Sequence, residues 1–253
     1  MTLGDSVPLE QIRSRLRNLH LPLNSKVRKR ASVLIPLRQI DGELRLLFTQ
    51  RASHLNSHSG QVAFPGGKQD PHDRSALETV LRECEEEIGL APKQVECLGR
   101  IDQIISLYHY LVTPFVAVID PDFTPRLNPQ EIDAVFEVPL TFFLNPANHT
   151  SEEITYEYPR FSHHFHFGSY DIWGLTAKLV IRFLELSTGY VPEYPIHHPE
   201  GPNWTRLGQW FSDQSQSRLS SIPPPETVEG KSRGGRPTPR RQSGSSAPVP
   251  SRH

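Results

Sequence analysis

Five apolar side chains between Leu77 and Ile88 recur at a spacing that only a helix can align. At about 100° per residue, Leu77, Val80, Leu81, Cys84 and Ile88 fall in one narrow stripe. Such a stripe marks a helix with one face against a core. Glu83, Glu86 and Glu87 form a single i, i+3, i+4 patch beside it, while Glu78 and Glu85 lie on the opposite flank. Gly89 ends the pattern where a left-handed C′ residue is expected. Four glutamates within residues 83–87 repel one another, by roughly a few tenths of a kcal/mol per pair. They also crowd the C-terminal end of the helix, where the macrodipole disfavours negative charge. A solvated acidic face is the plain reading. The paired glycines of "FPGGK" just upstream favour another, because glycine lets backbone approach a ligand closely. Gathered carboxylates suit a hard divalent cation, and Mg²⁺ combines a few of them with water and substrate phosphate oxygens.

Around this helix the chain reads as mixed α and β. Leu9, Ile12, Leu16 and Leu19 keep helical spacing with Arg13, Arg15 and Arg17 between them, an N-terminal amphipathic helix packed on the body. An organellar transit peptide is the alternative for that stretch. Segments 31–37 and 43–51 look like strands joined at Asp41-Gly42, a hairpin signal. Residues 95–104 and 111–119 suggest further strands, and 134–140 a short strand or the lead into a helix. "EITYEYP" and "HHFHFGSYDIW" suggest a late hairpin, followed by an amphipathic helix over 174–187. The strands and helices lack βαβ alternation, which implies an α+β fold with a mixed sheet between helices.

From residue 214 the chain is rich in Pro, Gly, Ser and Arg and lacks aromatic residues. It cannot bury enough apolar surface to offset its ordering entropy, so 214–253 is expected to be a disordered tail. The expected organisation is an N-terminal helical extension (1–28), one folded domain (29–213) and this tail. Residues 231–253 carry six Lys or Arg and no acid; the formal net charge of −1 therefore leaves the rest distinctly negative. A body of that sign is a poor nonspecific binder of nucleic acid. No apolar run of about 18 residues occurs, so no membrane span is expected. No h-region follows the start, which speaks against a secretory signal peptide. Cys84 and Cys97 are expected to be free thiols in a reducing compartment, Cys84 as a core residue.

The stretch from Gly67 through Asp73 to "RECEEEIGL" (82–90) resembles the Nudix box of Nudix hydrolases. Its second half fits Arg-Glu-apolar-x-Glu-Glu-x-Gly-apolar at every fixed position. In the first half Asp73 stands where a Glu is usual, one residue further from Arg82. That departure is similar to the coenzyme A diphosphatase-like branch, as is "LLFTQRASHLNSHSGQVAFPGG" (46–67). Asn56 stands where that branch has Arg. "VTPFV" and "IWGLTA" are also similar to it, and the likeness is strongest to bacterial members, which carry no transit peptide. It covers roughly residues 30–187.

The resemblance implies a Nudix fold and metal-dependent cleavage of coenzyme A to 3′,5′-ADP and 4′-phosphopantetheine. The rivals are ADP-ribose or a dinucleotide as substrate, or a module that senses a nucleotide without hydrolysing it. Glu83, Glu86 and Glu87 would hold Mg²⁺ or Mn²⁺, and the Gly66-Gly67 turn would bring backbone oxygen near it. Arg82 would orient a glutamate. Glu131 is a candidate general base, or else a surface acid. Arg51, Gly60, Phe64, Gly66 and Gly67 are the candidate substrate-binding residues. Arg51 serves either as the cation for the CoA 3′-phosphate or in a structural salt bridge. The expected setting is the cytoplasm, with mitochondria the alternative; neither nucleic acid nor a membrane is an expected partner, and a homodimer is left open. His54 and His58 read as polar loop residues, and Trp173 and Trp204 as packing anchors. His163, His164 and His166 alternate as a strand would, with a transition-metal site the less favoured reading.

Overall fold

Asp41 and Gly42 both take positive φ, 50° and 83°, and fold β1 (Arg30–Ile40) back onto β2 (Glu43–Arg51). This computed structural model describes residues 7–19, 21, 27, 29–155 and 159–190. The expected tail at 214–253, Trp204 and positions 156–158 of the expected hairpin lie outside them. The two long strands pair only from Leu37↔Leu46 to Ile40↔Glu43. Beyond that they splay. The free edge of β1 is taken by β4 (Gly66–Lys68) and that of β2 by β3 (Val62–Ala63).

On its other side β1 runs parallel to β7 (Leu111–Ile119), with Arg30↔Leu111 through Leu37↔Val118 in register. β7 in turn pairs with β5 (Val95–Arg100) and β6 (Ile104–Ile105), and β2 with β8 (Ile132–Pro139). The expected single strand over 95–104 is thus two, broken at 101–103. Segment 134–140 is both things considered for it: β8 leads directly into the short helix α3 (Leu140–Leu144).

Period-2 alternation sorts the sheet's side chains to two cores. Leu34, Leu47, Ala117 and Ile119 pack beneath Val80, Cys84 and Ile88 of α2 (Ala76–Ile88). Ile35, Leu37, Leu46 and Phe48 face the other way. They pack with Ile12 and Leu16 of α1 (Leu9–Arg17) and with Leu179, Val180 and Phe183 of α4 (Gly174–Thr188). Burying each such side chain contributes about 1.5–3 kcal/mol. The fold is therefore α+β, a mixed sheet between helices. α1 packs against α4 and β5. Among the described residues no helix is long and apolar enough to cross a membrane.

The late hairpin is a three-stranded sheet. β9 (His149–Thr155), β10 (Pro159–Phe167) and β11 (Tyr170–Trp173) form an antiparallel meander, which Phe165 and Ile172 join to the second core. His149 and His163 sit buried under this sheet, their rings 5.3 Å apart, with Phe165 stacked on His149. Burial, the larger cause, and the neighbouring imidazoles lower their pKa values from 6.5, to about 4 for His149 and about 3 for His163. Lys178 adds to the effect on His163. Both are thus neutral in the native state while the unfolded chain takes up protons below pH 6.5. Stability from this pair is complete above that pH and falls on acidification, by about 1.4 kcal/mol per pH unit for each histidine. Denaturant midpoints measured from pH 7 to 5 are expected to fall steeply in the wild type and less steeply in His163→Gln.

Candidate active site

Helix α2 starts where the Ser75 side chain accepts the Glu78 amide N–H, and it stops at Gly89, which adopts φ 73°. The Gly89 amide donates to the Glu85 carbonyl and the Leu90 amide to that of Cys84, a left-handed C-terminal cap. The loop at 126–131 completes the end: the Arg126 amide donates to the Ile88 carbonyl and the Asn128 amide to that of Glu87. These bonds absorb the C-terminal carbonyls that would otherwise face the crowded acids. They also fix where Glu131 stands, because its own amide donates to the Asn128 carbonyl and its carbonyl accepts from the Ala52 amide.

The three glutamates of the patch meet different surroundings. Glu87 is 3% exposed. Its Oε2 accepts the Gly66 amide at 3.0 Å, and the Arg51 Nη1 lies 3.9 Å from its Oε1. Burial is the main reason its pKa is pushed up to about 8; Glu83 and Glu131 raise it further, while Gly66 and Arg51 oppose the rise. Glu83 is also raised, first by burial, with Arg82 opposing and Glu86 and Glu131 adding to it. Glu86 is half exposed and reaches the same cluster through Arg82. So Glu83, Glu87 and Glu131 come together electrostatically, and Glu86 stands at their rim.

Arg82 holds the group in place. Its Nε and Nη2 grip the Asp73 carboxylate at 3.0 Å each. Nη2 also reaches Glu83 at 2.9 Å and the Lys68 carbonyl at 3.2 Å, and Nη1 reaches Glu86 at 2.8 Å. The same contact holds the buried Asp73 carboxyl down at about 2. One guanidinium therefore ties α2 to β4 and to the turn at 70–73, in the bidentate manner that Arg alone provides. Asp73 stood out in the sequence only as a departure from the usual residue; its buried pairing with Arg82 had no signal there.

The glycines show why this wall is close. Gly66 takes φ 145°, and a Cβ there would meet the Ser32 carbonyl and the Val33 Cα. A Cβ on Gly67 would run into the Glu83 carboxylate. What β4 turns toward the acids is thus the Gly66 amide and the bare Cα of Gly67, rather than only the carbonyl oxygen expected from the sequence.

Two sequence expectations are corrected. Phe64 cannot line a substrate surface: it is buried in the core and stacked on Phe48 at 4.7 Å. Trp173 is no packing anchor: it is 40% exposed and lies parallel to the His164 ring. Gly60 closes the 52–60 loop by donating its amide to the Arg51 carbonyl. His58 in that loop meets Tyr108 edge-on at 4.9 Å, beside the exposed Leu107. Cys84 is buried on the apolar stripe and Cys97 is a separate thiol. A shallow concavity of about 490 Å³ along α2 opens on its Glu78 and Glu85 flank, and Glu87 is not among its lining residues.

As for chemistry, buried carboxylates that repel one another, walled by glycine backbone and steadied by an arginine, fit the oxygen-rich shell of Mg²⁺ or Mn²⁺. A family model described as the NUDIX domain matches residues 28–158. The uncharacterized Nudix hydrolase NudL of Escherichia coli K12 is 39% identical over 195 residues, 74% of this chain and 98% of that protein. NudL of Shigella boydii serotype 18 is 38% identical over the same shares. Among solved structures, a NUDIX hydrolase from Alicyclobacillus acidocaldarius matches with a TM-score of 0.40 at 22% identity. That match covers 46% of this chain and 81% of the other.

Proposed function

Because the chain belongs to the NUDIX domain family, whose hydrolases act on small nucleotide-derived substrates with divalent metal ions, we propose that it cleaves the pyrophosphate of coenzyme A. The products would be 3′,5′-ADP and 4′-phosphopantetheine. The observations that carry the hydrolytic reading are the buried Glu87 carboxylate on the Gly66 amide and the Glu83 carboxylate against the bare Cα of Gly67, with the charge of Glu131 acting on both. The coenzyme A assignment rests on the 46–67 stretch and its likeness to the coenzyme A branch.

Glu83 and Glu87 would hold Mg²⁺ or Mn²⁺, with Glu86 joining from the rim. A bound cation neutralises pyrophosphate charge and acidifies the attacking water. The chain's own residues set the geometry. Arg82 fixes the carboxylates of Glu83 and Glu86, and the Gly66 amide fixes that of Glu87. Glu131 stands near the buried pair without belonging to the helix, with Asn128 Nδ2 at 3.5 Å from its Oε1. That position suits a general base which takes a proton from water. Arg51 Nη1 lies 3.9 Å from Glu87 Oε1, which supports the structural salt bridge of the two roles considered for it.

The test is a comparison of coenzyme A, ADP-ribose and NADH with Mg²⁺ or Mn²⁺, products separated by chromatography. Coenzyme A is expected to give the highest kcat/KM and to yield 3′,5′-ADP. Preference for ADP-ribose or a dinucleotide would overturn the substrate; turnover of none of them, with binding retained, would make the protein a sensor.

A further inference from the structure

On the solvent side of the β9–β11 sheet, three side chains with metal-binding atoms converge, none of them a member of the glutamate cluster. His164 and His166 are two apart on β10 and so share a face. Asp171 on β11 sits directly opposite His166 in the register. One ligand atom from each lies within 4.8 Å of the other two. Both imidazoles turn Nδ1 to the same carboxylate: His164 at 3.0 Å from Oδ2 and His166 at 3.4 Å from Oδ1. They border a groove of about 390 Å³ with Thr150, Ser151 and Glu152.

We propose that His164, His166 and Asp171 form a zinc(II) site, separate from the proposed hydrolytic centre. Ligands about 2.0–2.1 Å from a tetrahedral ion stand roughly 3.3 Å apart, and the two N···O separations already lie close to that edge length. The far nitrogen of His164 is occupied in the manner that prepares a ligand. Its Nε2 is 2.9 Å from the Ser162 hydroxyl and 3.6 Å from Glu152. Donation from that nitrogen leaves the Nδ1 lone pair for the ion. The Trp173 ring lies parallel to that of His164, their centroids 6.0 Å apart. All three ligands stand on strands rather than loops, which keeps such a constellation rigid. A fourth position opens on the groove, where water completes the shell.

The donor set sorts the metals. Two imidazoles and one carboxylate favour Zn²⁺ over Mg²⁺, whereas the all-carboxylate cluster on α2 has the opposite bias. The ion would pin β10 to β11 just before Trp173 leads into α4, so its binding is read in stability.

The experiment is calorimetric titration of the full chain with ZnCl₂ in excess Mg²⁺, which keeps the glutamate cluster filled. Wild type is expected to take up one equivalent more than His166→Ala or Asp171→Asn. Zinc is expected to raise the melting temperature of the wild type and not of the two ligand variants. Both variants alter solvent-accessible side chains, so circular dichroism and Mg²⁺-dependent turnover should match the wild type. Equal zinc uptake by all three proteins, or none by the wild type, would overturn the site.

Discussion

Replacing Glu87 with glutamine is expected to cut metal-dependent hydrolysis by about 10³-fold, the equivalent of several kcal/mol of lost charge stabilisation. The thermal midpoint is expected to hold or to rise. Glu87 is buried beside Glu83 and Glu131. A charge there is costly to desolvate, and glutamine keeps the shape without it. The Gly66 amide, now 3.0 Å from Oε2, retains an oxygen to donate to. Function and stability should therefore separate in this one variant. Initial rates, calorimetry with MnCl₂ and a thermal melt together decide the matter. Wild-type turnover would refute the assigned role, and a collapsed melt would show that the carboxylate holds the fold.

Arg82→Ala is expected to fail on both counts. It strips the bidentate partner from Asp73, whose side chain is 5% exposed, and it frees Glu83 and Glu86 at once. Removing the charged partner of this carboxylate, which keeps the Asp70 amide as a donor, costs about 1.5–3 kcal/mol, read as a lower denaturant midpoint. Positioning groups around a metal contribute about 10–100-fold, and here that loss should appear in kcat more than in KM. Arg82→Lys separates the two roles. It restores charge near Asp73 but not the planar fork, so it should recover part of the midpoint and little of kcat. Full recovery of kcat by lysine would show that charge alone, and not the fork to four partners, is what the site uses.

Where a side-chain pattern repeats, the sequence alone led to the right element. The stripe from Leu77 to Ile88, the stop at Gly89 and the turn at Asp41-Gly42 each rest on local rules, and the structure follows them. The failures share a cause in tertiary cover. β4 is only Gly-Gly-Lys, with almost no side chains to display a period, yet it forms the wall of the site. A helical wheel sets Glu87 on the acidic flank, whereas β4 and the 126–131 loop close over it. Phe64 lies in a glycine-rich loop motif and is nonetheless core, because Phe48 faces it across the β2–β3 pairing. β9 was half visible, as one arm of a hairpin; its pairing with β10 made it an outer strand of a meander.

The parallel contact between β1 and β7 also bears on how the chain reaches this state. β1 must wait for a partner about 80 residues downstream, a long-range closure of the kind that slows folding. The β1–β2 turn and α2 both leave the ribosome before that partner does. Until β7 arrives, the nascent strand offers an open hydrogen-bonding edge rich in Val, Leu and Ile, which is a template for unwanted association. Synthesis of this protein thus carries a vulnerable interval between emergence of residue 40 and residue 119, during which a chaperone's protection would raise the yield of native molecules.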